Sequence, residues 1–391
     1  MVAIGQLYLG LGLDYLRVRL GFRFDVAGDD SVRTCASYST DVRLGNRSGL
    51  AMAFTLEMKK TVGDDQPTLD ALDAAAALVY QSMPPTPQYR WPLLEERVGT
   101  TVWVKHENHA PTGAFKVRGG LVYLEDLCRT GVKPEGVISA TRGNHGQSVG
   151  FAASKYGIQA AVVVPIDNSV EKNAAMRALG VDVIEQGHDF QAAVEIADEI
   201  AIDRGWHRFP SFHPLLVRGV GTYAVELFRA VPDLDTVYVP VGMGSGLCGV
   251  IAARDALGLR TRVVAVVSER APAFALSYAQ GRVVSHEVTT RIADGMACRT
   301  PVEAALAIAR RGAERVIRVS DDEVESAMRA LFSDTHNTAE GGGAAALAAL
   351  LQEKEKMRGR NVAVILSGGN VNSSLFASVL SGKRIGPSTK D

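Results

Sequence analysis

The chain has 391 residues, 47% of them hydrophobic, so its length allows two domains and a sizeable buried core. Its formal charge is −1, with 42 basic and 43 acidic residues, which excludes the strongly basic composition of a nucleic-acid-binding protein. No apolar run is long enough to span a bilayer. We therefore expect a globular protein without a nucleic-acid or membrane partner.

The first 50 residues give no clear structural prediction. The segment LDYLRVRLGFRFDV alternates weakly, as a strand does, and polar, irregular sequence follows it. The start of the chain lacks the basic leading segment of a signal peptide. We favour an N-terminal extension over residues 1–50, either a disordered arm or sequence upstream of the true start, rather than a folded domain.

The cysteines are widely spaced and form no CxxC pair, which argues against a disulfide framework or a zinc site. This spacing favours reduced thiols in a cytosolic protein. The four residues are Cys35, Cys128, Cys248 and Cys298.

Regular structure is predicted from Thr68 onward, where this threonine can cap a helix over TLDALDAAAALVY. Short β-rich runs then alternate with amphipathic helices. These runs are TVWVKHE, GVISA, AAVVVP, VDVIEQ, TVYVPVG, TRVVAVV, ERVIRVS and NVAVILSGG. Because they are apolar on both faces, they indicate parallel strands covered by helices in a doubly wound α/β fold. The runs are too many for one small sheet, so two lobes are expected.

In such folds ligands bind beyond the carboxyl ends of the strands, which directs attention to the strand-to-helix turns. In VPVGMGSGLCGV a strand leads into Gly242, Gly244 and Gly246 and then a helix. Successive N–H groups at a helix start favour a phosphate or another anion. The alternative is a tight turn that only packs against its helix, since the full G-x-G-x-x-G spacing is absent.

Two further turns carry polar residues. In ISATRGNHGQS a strand leads into residues 141–145 at the start of a helix, where free N–H groups suit a carboxylate. Asn144 is alternatively a helix cap, and His145 is alternatively a packed core histidine. In VAVILSGGN the strand ends at Ser367, whose hydroxyl either takes part in a site or caps the next helix.

The segment NHAPTGAFKVRGG contains one lysine, Lys116, between Phe115 and Val117. Lysine attacks a carbonyl only as a neutral amine, a form that burial beside apolar groups favours. Local sequence slightly favours the alternative, a solvated lysine in the first turn of a helix. Together, however, a reactive amine, a phosphate cradle, a carboxylate site and a strand-end hydroxyl match the needs of pyridoxal 5′-phosphate (PLP).

At this point the chain resembles the threonine/serine dehydratase family of fold-type II PLP-dependent enzymes, over roughly residues 67–382. KHENHAPTGAFKVRGG is similar to the family's lysine motif, and TRGNHGQS is similar to its S-S-G-N-H-x-Q loop. The segments VPVGMGSGLCG, IADGMA, GVGTYAVEL and LSGGN resemble further shared motifs in the family's order. The lysine and asparagine-histidine motifs together are highly specific.

The resemblance implies a role for each site residue. Lys116 would bond to the cofactor aldehyde and later remove the substrate α-proton, Phe115 would pack on the cofactor ring, and Ser367 would meet its nitrogen. The implied cofactor-binding set is Phe115, Lys116, Asn144, Gly242, Met243, Gly244, Ser245, Gly246, Leu247 and Ser367. The implied substrate-binding set is Thr141, Arg142, Gly143, Asn144 and His145.

The implied enzyme is a PLP-dependent lyase that converts L-threonine or L-serine into a 2-oxo acid and ammonia. Alternatives are a 3-hydroxyaspartate or phenylserine dehydratase, a β-replacement synthase or a racemase. The resemblance implies two lobes, each a mostly parallel sheet flanked by helices. The large PLP-binding domain is then expected at 67–135 plus 208–382, and a small mobile domain at 136–207. A cytoplasmic homodimer is implied. The chain ends at Asp391 without the regulatory domain of the biosynthetic enzymes, which predicts a catabolic role without feedback inhibition by isoleucine.

Several departures from the family pattern bear on function. Arg142 stands where the family has a second serine, which acts from the opposite ring face in related racemases, so racemisation is disfavoured. Arg142 either pairs with an anionic substrate side chain or turns outward to solvent. Glu269 lacks a nearby acid, so no bound metal is expected. Glu340 is expected to cap the helix that follows it. Met296 and the stretch HRFPSFHP are candidates for the pocket wall.

Overall fold

The computed structural model describes residues 66–131 and 133–382, together with the backbone of two N-terminal strands. These strands, β1 (Val2–Leu11) and β2 (Asp14–Arg23), form an antiparallel hairpin that pairs Val2 with Arg23. The predicted N-terminal extension otherwise falls on residues 24–50, which lie outside the described residues. The hairpin belongs to a unit, residues 1–65, separate from the rest of the chain.

The remaining strands form two sheets. They are β3 (Gln88–Arg90), β4 (Thr101–His106), β5 (Gly136–Ala140), β6 (Gln159–Val164), β7 (Asp182–Glu185), β8 (His207–Arg208), β9 (Thr236–Pro240), β10 (Arg262–Ser268), β11 (Arg315–Val319) and β12 (Asn361–Leu366). A six-stranded sheet has the order β11-β10-β9-β12-β4-β3, and a four-stranded sheet has the order β7-β6-β5-β8. All neighbouring pairs are parallel except β3 with β4.

Helices cover both sheets. They are α1 (Leu69–Val79), α2 (Pro92–Val98), α3 (Lys116–Thr130), α4 (Asn144–Tyr156), α5 (Val170–Ala178), α6 (Phe190–Arg204), α7 (Pro214–Ala230), α8 (Ser245–Ala256), α9 (Ala273–Gln280), α10 (Glu303–Gly312), α11 (Asp321–Thr335), α12 (Gly341–Gln352) and α13 (Ser373–Leu380). The predicted cap of α1 is confirmed, because the Thr68 side chain accepts a hydrogen bond from the Ala71 amide. None of the helices in the described part of the chain is long and apolar enough to cross a membrane.

The core explains why the strand runs are apolar on both faces. In β10, Val264 and Val266 pack in one buried cluster, while Val263, Ala265 and Val267 pack in another on the opposite face. Successive side chains of a strand point to opposite faces, so a sheet covered on both sides needs apolar residues at every position. The expected α/β fold with parallel sheets flanked by helices is confirmed.

A buried network of charges ties β4 to α3 and α7. The guanidinium of Arg118 is 2.8 Å from a carboxylate oxygen of Glu107 and 2.6 Å from one of Glu226, and all three side chains are at most 7% exposed. Lys105 lies 2.6 Å from the other Glu226 oxygen. Burial alone would raise the pKa of Glu226, but the charges and hydrogen bonds of Arg118 and Lys105 lower it. The network therefore contains two cations and two carboxylates, whose charges cancel.

Replacing Arg118 with methionine should strongly destabilise the fold. The change leaves Glu107 without its cation in a fully buried position, and such a loss costs about 3–5 kcal/mol of unfolding free energy. Urea-induced unfolding monitored by circular dichroism measures the change. Arg90→Met is the control, because solvent screens the exposed Arg90–Glu95 pair and its loss should change the stability little. Equal effects of the two variants would contradict the prediction.

Candidate active site

A cleft opens where β5, β9 and β12 end, so its walls come from both sheets. The lining side chains and backbone belong to Phe115, Lys116, Ala140, Thr141, Arg142, Gly143, Asn144, His145, Lys172, Phe190, Ser211, Pro240, Gly242, Met243, Gly244, Ser245, Gly246, Asp294, Gly295, Met296, Ala297, Cys298, Glu340, Gly342 and Ser367. Every residue of the predicted cofactor and substrate sets is present except Leu247, whose side chain is buried in the core. The predicted wall residue Met296 and one residue of HRFPSFHP, Ser211, also line the cleft.

Lys116 lies at the base of the cleft as the first residue of α3. Its position is fixed by two backbone contacts: the Phe115 amide donates to the Ser367 carbonyl at 3.1 Å, and the Ser148 hydroxyl donates to the Lys116 carbonyl at 2.7 Å. The residue is partly exposed to the cleft, but protein surrounds its amine. That burial lowers the pKa of Lys116 to about 8, against the opposing influence of Glu340 and Cys298.

This environment decides between the two interpretations of Lys116. A solvated lysine is almost entirely protonated at neutral pH, whereas an amine with a pKa of about 8 has a substantial neutral fraction. The amine also lies 5.4 Å from the centroid of the Phe115 ring, an apolar neighbour that disfavours further solvation. Lys116 therefore has the environment of a nucleophilic amine.

The turn between β9 and α8 presents a run of free backbone donors. The amides of residues 242–247 donate no hydrogen bond within the described part of the chain, whereas Val241 and Cys248 on either side are bonded. Gly244 precedes α8 with φ +103°, a conformation that brings these amides to the helix N-terminus. The Ser245 hydroxyl lies beside them in the cleft. This arrangement fits a phosphate group, as predicted from the glycine spacing.

Replacing Gly244 with alanine should weaken cofactor binding. A β-carbon at Gly244 would lie 2.6 Å from the Ala305 β-carbon, and the φ of +103° is unfavourable for alanine. Such strain costs about 1–3 kcal/mol, so the Kd for PLP should rise at least about fivefold in fluorescence titrations of the apoprotein. Gly258→Ala is the control, because Gly258 has φ +65° but open space around it. An unchanged Kd in Gly244→Ala would contradict the assignment of this turn.

The turn between β5 and α4 forms a second group of free donors. The Thr141 hydroxyl accepts hydrogen bonds from the amides of Gly143 and Gly146 at 2.9 and 3.0 Å, which fixes the shape of the turn. The amides of Asn144 and His145 at the start of α4 donate to none of the described residues. They are therefore available for a carboxylate, as the sequence predicts.

The side chains of this turn have distinct environments. Asn144 does not cap α4; its amide nitrogen donates to Glu340 at 2.5 Å and its oxygen accepts from Asn370 at 2.8 Å. His145 is buried against Phe209, with ring centroids 5.5 Å apart. Burial, and then the nearby charges of Lys116 and Arg208, lower the pKa of His145 well below its usual value. The imidazole is therefore neutral.

Sequence reasoning missed a group of charged residues in the cleft wall. The Lys172 amine on α5 lies 2.7 Å from Asp294 and 3.4 Å from Glu340, and Glu340 also accepts the bond from Asn144. The predicted cap by Glu340 is wrong: the residue precedes α12, but its carboxylate makes no capping bond and turns into the cleft. Burial raises the pKa of Glu340, although Lys172 opposes this effect.

Ser367 lies at the end of β12, in the cleft, and its hydroxyl makes one long hydrogen bond, 3.4 Å to the Gly342 carbonyl. A cofactor ring nitrogen is thus a suitable further partner. Within residues 66–131 and 133–382 no group of three or more histidine, cysteine or acidic side chains is arranged to hold a metal ion. The donors of the cleft, one neutralisable amine, two sets of free amides and one hydroxyl, fit PLP and an amino-acid carboxylate.

The chain belongs to the pyridoxal-phosphate dependent enzyme family, whose model matches residues 79–368. It is 31% identical to L-threonine ammonia-lyase of Thermotoga maritima over 82% of this chain and 77% of the relative. It is 30% identical to the catabolic L-threonine dehydratase of Escherichia coli over 84% of this chain and 98% of the relative. The chain spans only 62% of the biosynthetic L-threonine dehydratase of Escherichia coli, at 32% identity.

Solved structures give the same family. The T.th. threonine deaminase superposes with a TM-score of 0.73 at 32% identity, covering 78% of this chain and 99% of that one. Maize serine racemase superposes with a TM-score of 0.75 at 26% identity, covering 81% and 98%. The resemblance to fold-type II PLP enzymes is thereby confirmed, and both lyases and racemases are present among the relatives.

Proposed function

We propose that this chain is a PLP-dependent lyase that converts a β-hydroxy amino acid, L-threonine or L-serine, into a 2-oxo acid and ammonia. The observation that carries the proposal is the Lys116 amine, with its pKa lowered to about 8, in one cleft with two sets of free amides. The relatives named as threonine ammonia-lyase and threonine dehydratase support the same reaction.

The cleft residues have different roles in this reaction. When bound, PLP supplies an electron sink that makes the α-hydrogen of an amino acid acidic. Lys116 accepts that proton, because its amine is available in the neutral form near pH 8. The amides of Asn144 and His145 hold the α-carboxylate, and those of residues 242–247 hold the cofactor phosphate.

Ser367 favours elimination over other chemistries of the same cofactor. Its hydroxyl is neutral, so it would bind the ring nitrogen without keeping a proton on it as an aspartate does. The electron sink is then milder, which suits loss of a β-hydroxyl more than transamination. After water is lost, the released unsaturated amine hydrolyses to a 2-oxo acid and ammonia.

The test is a product analysis of the PLP-loaded protein with L-threonine, L-serine and 3-phenylserine. We expect equal amounts of 2-oxo acid and ammonia from L-threonine or L-serine. A predominance of D-amino acid would make the chain a racemase, and a thioether formed from added thiol would make it a β-replacement synthase. Racemisation is disfavoured because Arg142, a poor proton donor at neutral pH, stands in place of a serine.

We also propose the division into a large PLP-binding domain, 67–135 plus 208–382, and a small mobile domain, 136–207. In support, the six-stranded sheet uses strands of the first set, and β5 to β7 of the four-stranded sheet lie within the second. A homodimer is proposed on the resemblance alone, and light scattering on the purified protein tests it. A cytoplasmic location is proposed from the widely spaced cysteines. A catabolic role predicts that isoleucine leaves the activity unchanged.

A further inference from the structure

Arg142 is a cation of the cleft that has no acidic partner among the described residues. The other cation besides the cofactor amine is Lys172, which is paired with both acidic side chains of the cleft, Asp294 at 2.7 Å and Glu340 at 3.4 Å. No described acid lies within ion-pair distance of Arg142. The wall next to the carboxylate-binding turn therefore carries a positive charge that none of the residues in 66–131 and 133–382 neutralises by an ion pair.

The hydrogen bonding of Arg142 leads to the same conclusion. Its Nε atom is buried and has no hydrogen-bond partner among the described residues. Buried donors in native proteins are almost always bonded, so the missing acceptor is expected on a bound molecule. The Nε2 atom of the cleft residue His145 is also buried and has no partner in the described part of the chain. Two polar side chains of this turn are thus suited to a polar ligand.

The two anionic groups common to all substrate complexes of this enzyme class already have binding positions. The free amides of residues 242–247 serve the cofactor phosphate, and the free amides of Asn144 and His145 serve the α-carboxylate. Neither group requires a guanidinium. Arg142 directly precedes Gly143 in the carboxylate-binding turn and lines the cleft. The remaining position for an anion is therefore on the β-carbon of the bound amino acid, beside the hydroxyl. Threonine and serine offer only a methyl group or a hydrogen there.

We propose that Arg142 recognises an anionic group on the β-carbon of the substrate, so that the preferred substrate is a β-hydroxy amino dicarboxylic acid such as 3-hydroxyaspartate. The guanidinium matches a carboxylate in shape and charge through two parallel hydrogen bonds. This inference rests on the proposed lyase function and names the substrate class within it.

The reaction balances without any further reactant. The α-C–H and β-C–O bonds break, and the proton and the hydroxyl leave as water. A water molecule then adds to the carbon that bears the nitrogen, and the nitrogen leaves as ammonia. The product is the corresponding 2-oxo dicarboxylic acid. No oxidant or reductant is required, and the β-carboxylate is unchanged throughout. The role of Arg142 is therefore specificity, through contact with a group that does not react.

The first test compares kcat/KM for L-threo-3-hydroxyaspartate and L-threonine, measured as 2-oxo acid and ammonia released by the PLP-loaded protein. We expect the wild type to prefer the dicarboxylic substrate. Arg142→Ser should lower the ratio of the two kcat/KM values by about 100-fold, because it removes the charge pair between the half-buried guanidinium and the substrate. Arg142→Lys, which keeps the charge but loses the planar fork, should give an intermediate ratio.

A matched control separates direct contact from the general field of positive charge. Arg299 follows the cleft residue Cys298, but its own side chain is 57% exposed and pairs with Asp189 outside the lining. Arg299→Ser should change the ratio of the two kcat/KM values less than about threefold, since solvent screens an exposed charge. An equal loss in Arg299→Ser and Arg142→Ser would overturn the assignment of Arg142.

The second test measures binding without turnover. L-Aspartate has the β-carboxylate but no β-hydroxyl to lose, and L-alanine lacks both groups. Spectral titration of the PLP-loaded protein should show tighter binding of L-aspartate than of L-alanine, and Arg142→Ser should abolish the difference. If the wild type turns over threonine but neither binds aspartate better than alanine nor consumes 3-hydroxyaspartate, the inference is wrong and the lyase function stands. If neither substrate yields a 2-oxo acid, the lyase function itself is wrong.

Discussion

Replacing Lys116 with alanine should lower kcat/KM of the lyase reaction by at least about 10⁴-fold, because the cofactor-bonding amine and the proton acceptor are lost together. Among the described residues that line the cleft, none replaces Lys116 as a base. Lys172 is held in ion pairs with Asp294 and Glu340, and the His145 imidazole is buried against Phe209. The visible absorbance of the bound cofactor should also change.

Chemical trapping makes this prediction independent of the assay. Borohydride reduction of the wild type should attach the cofactor to one peptide containing Lys116, and the variant should lose that label. Lys155→Ala is the matched control, because Lys155 is on α4 but its amine bonds to the surface residue Ser82. A label on another lysine, or activity of Lys116→Ala within tenfold of the wild type, would show that a different amine serves the cofactor.

Much of the fold was predictable because hydrophobic periodicity is a local property. The eight β-rich runs correspond to strands β4–β7 and β9–β12, because each is long and apolar enough to be recognised from the sequence. Within the two larger sheets, the strands that the sequence did not reveal are β3, with three residues, and β8, with two. Both are edge strands that exist through pairing with β4 and β5, and β3 lies within the proline-rich stretch PPTPQYRWP.

The backbone part of the site was also predictable, because glycine-rich turns that follow strands indicate backbone amides without a hydrogen-bond acceptor. Gly143 and Gly244 both have positive φ values, +151° and +103°, and both precede the first residue of a helix. Lys116 was a different case, since its immediate neighbours slightly favoured a solvated lysine. Its position depends on a distant segment, because the Phe115 amide donates to the Ser367 carbonyl, and no pattern around Lys116 itself indicates that contact.

The charged wall of the cleft was not predictable from local sequence. Lys172 lies in the first turn of a helix, where a lysine is normally exposed, yet here it is only 8% exposed. Its partners Asp294 and Glu340 are 122 and 168 residues away along the chain. No periodicity or capping pattern links positions so far apart. Only the packing of α5 against the ends of two other segments creates the cluster.

This cluster gives the second large expected effect, on stability: Lys172→Met should lower the free energy of unfolding by about 3–5 kcal/mol at pH 8. Methionine keeps an apolar stem, which matters because the Lys172 side chain packs directly against Gly143. The change therefore removes the charge more than the packing. Most of the cost falls on Glu340, whose side chain is 4% exposed, because Asp294 is 37% exposed and is screened by solvent.

The pH dependence of this loss distinguishes electrostatics from packing. Burial already raises the pKa of Glu340, and removal of Lys172 takes away the main opposing charge, so the pKa rises further. A carboxyl with a raised pKa in the folded state contributes its stability at low pH and loses it as the pH rises through that pKa. Denaturant unfolding should therefore show a smaller difference between Lys172→Met and wild type at pH 5 than at pH 8.

A double variant tests whether the unpaired Glu340 carboxylate causes the loss of stability. Glu340→Gln removes the carboxylate that Lys172 neutralises, so Lys172→Met combined with Glu340→Gln should be more stable at pH 8 than Lys172→Met alone. Its stability should also depend less on pH, because the titrating group is gone. If the single variant loses the same stability at both pH values and Glu340→Gln gives no recovery, packing rather than charge holds α5 at the cleft. Lys172 would then position the carboxylate-binding turn through its stem alone.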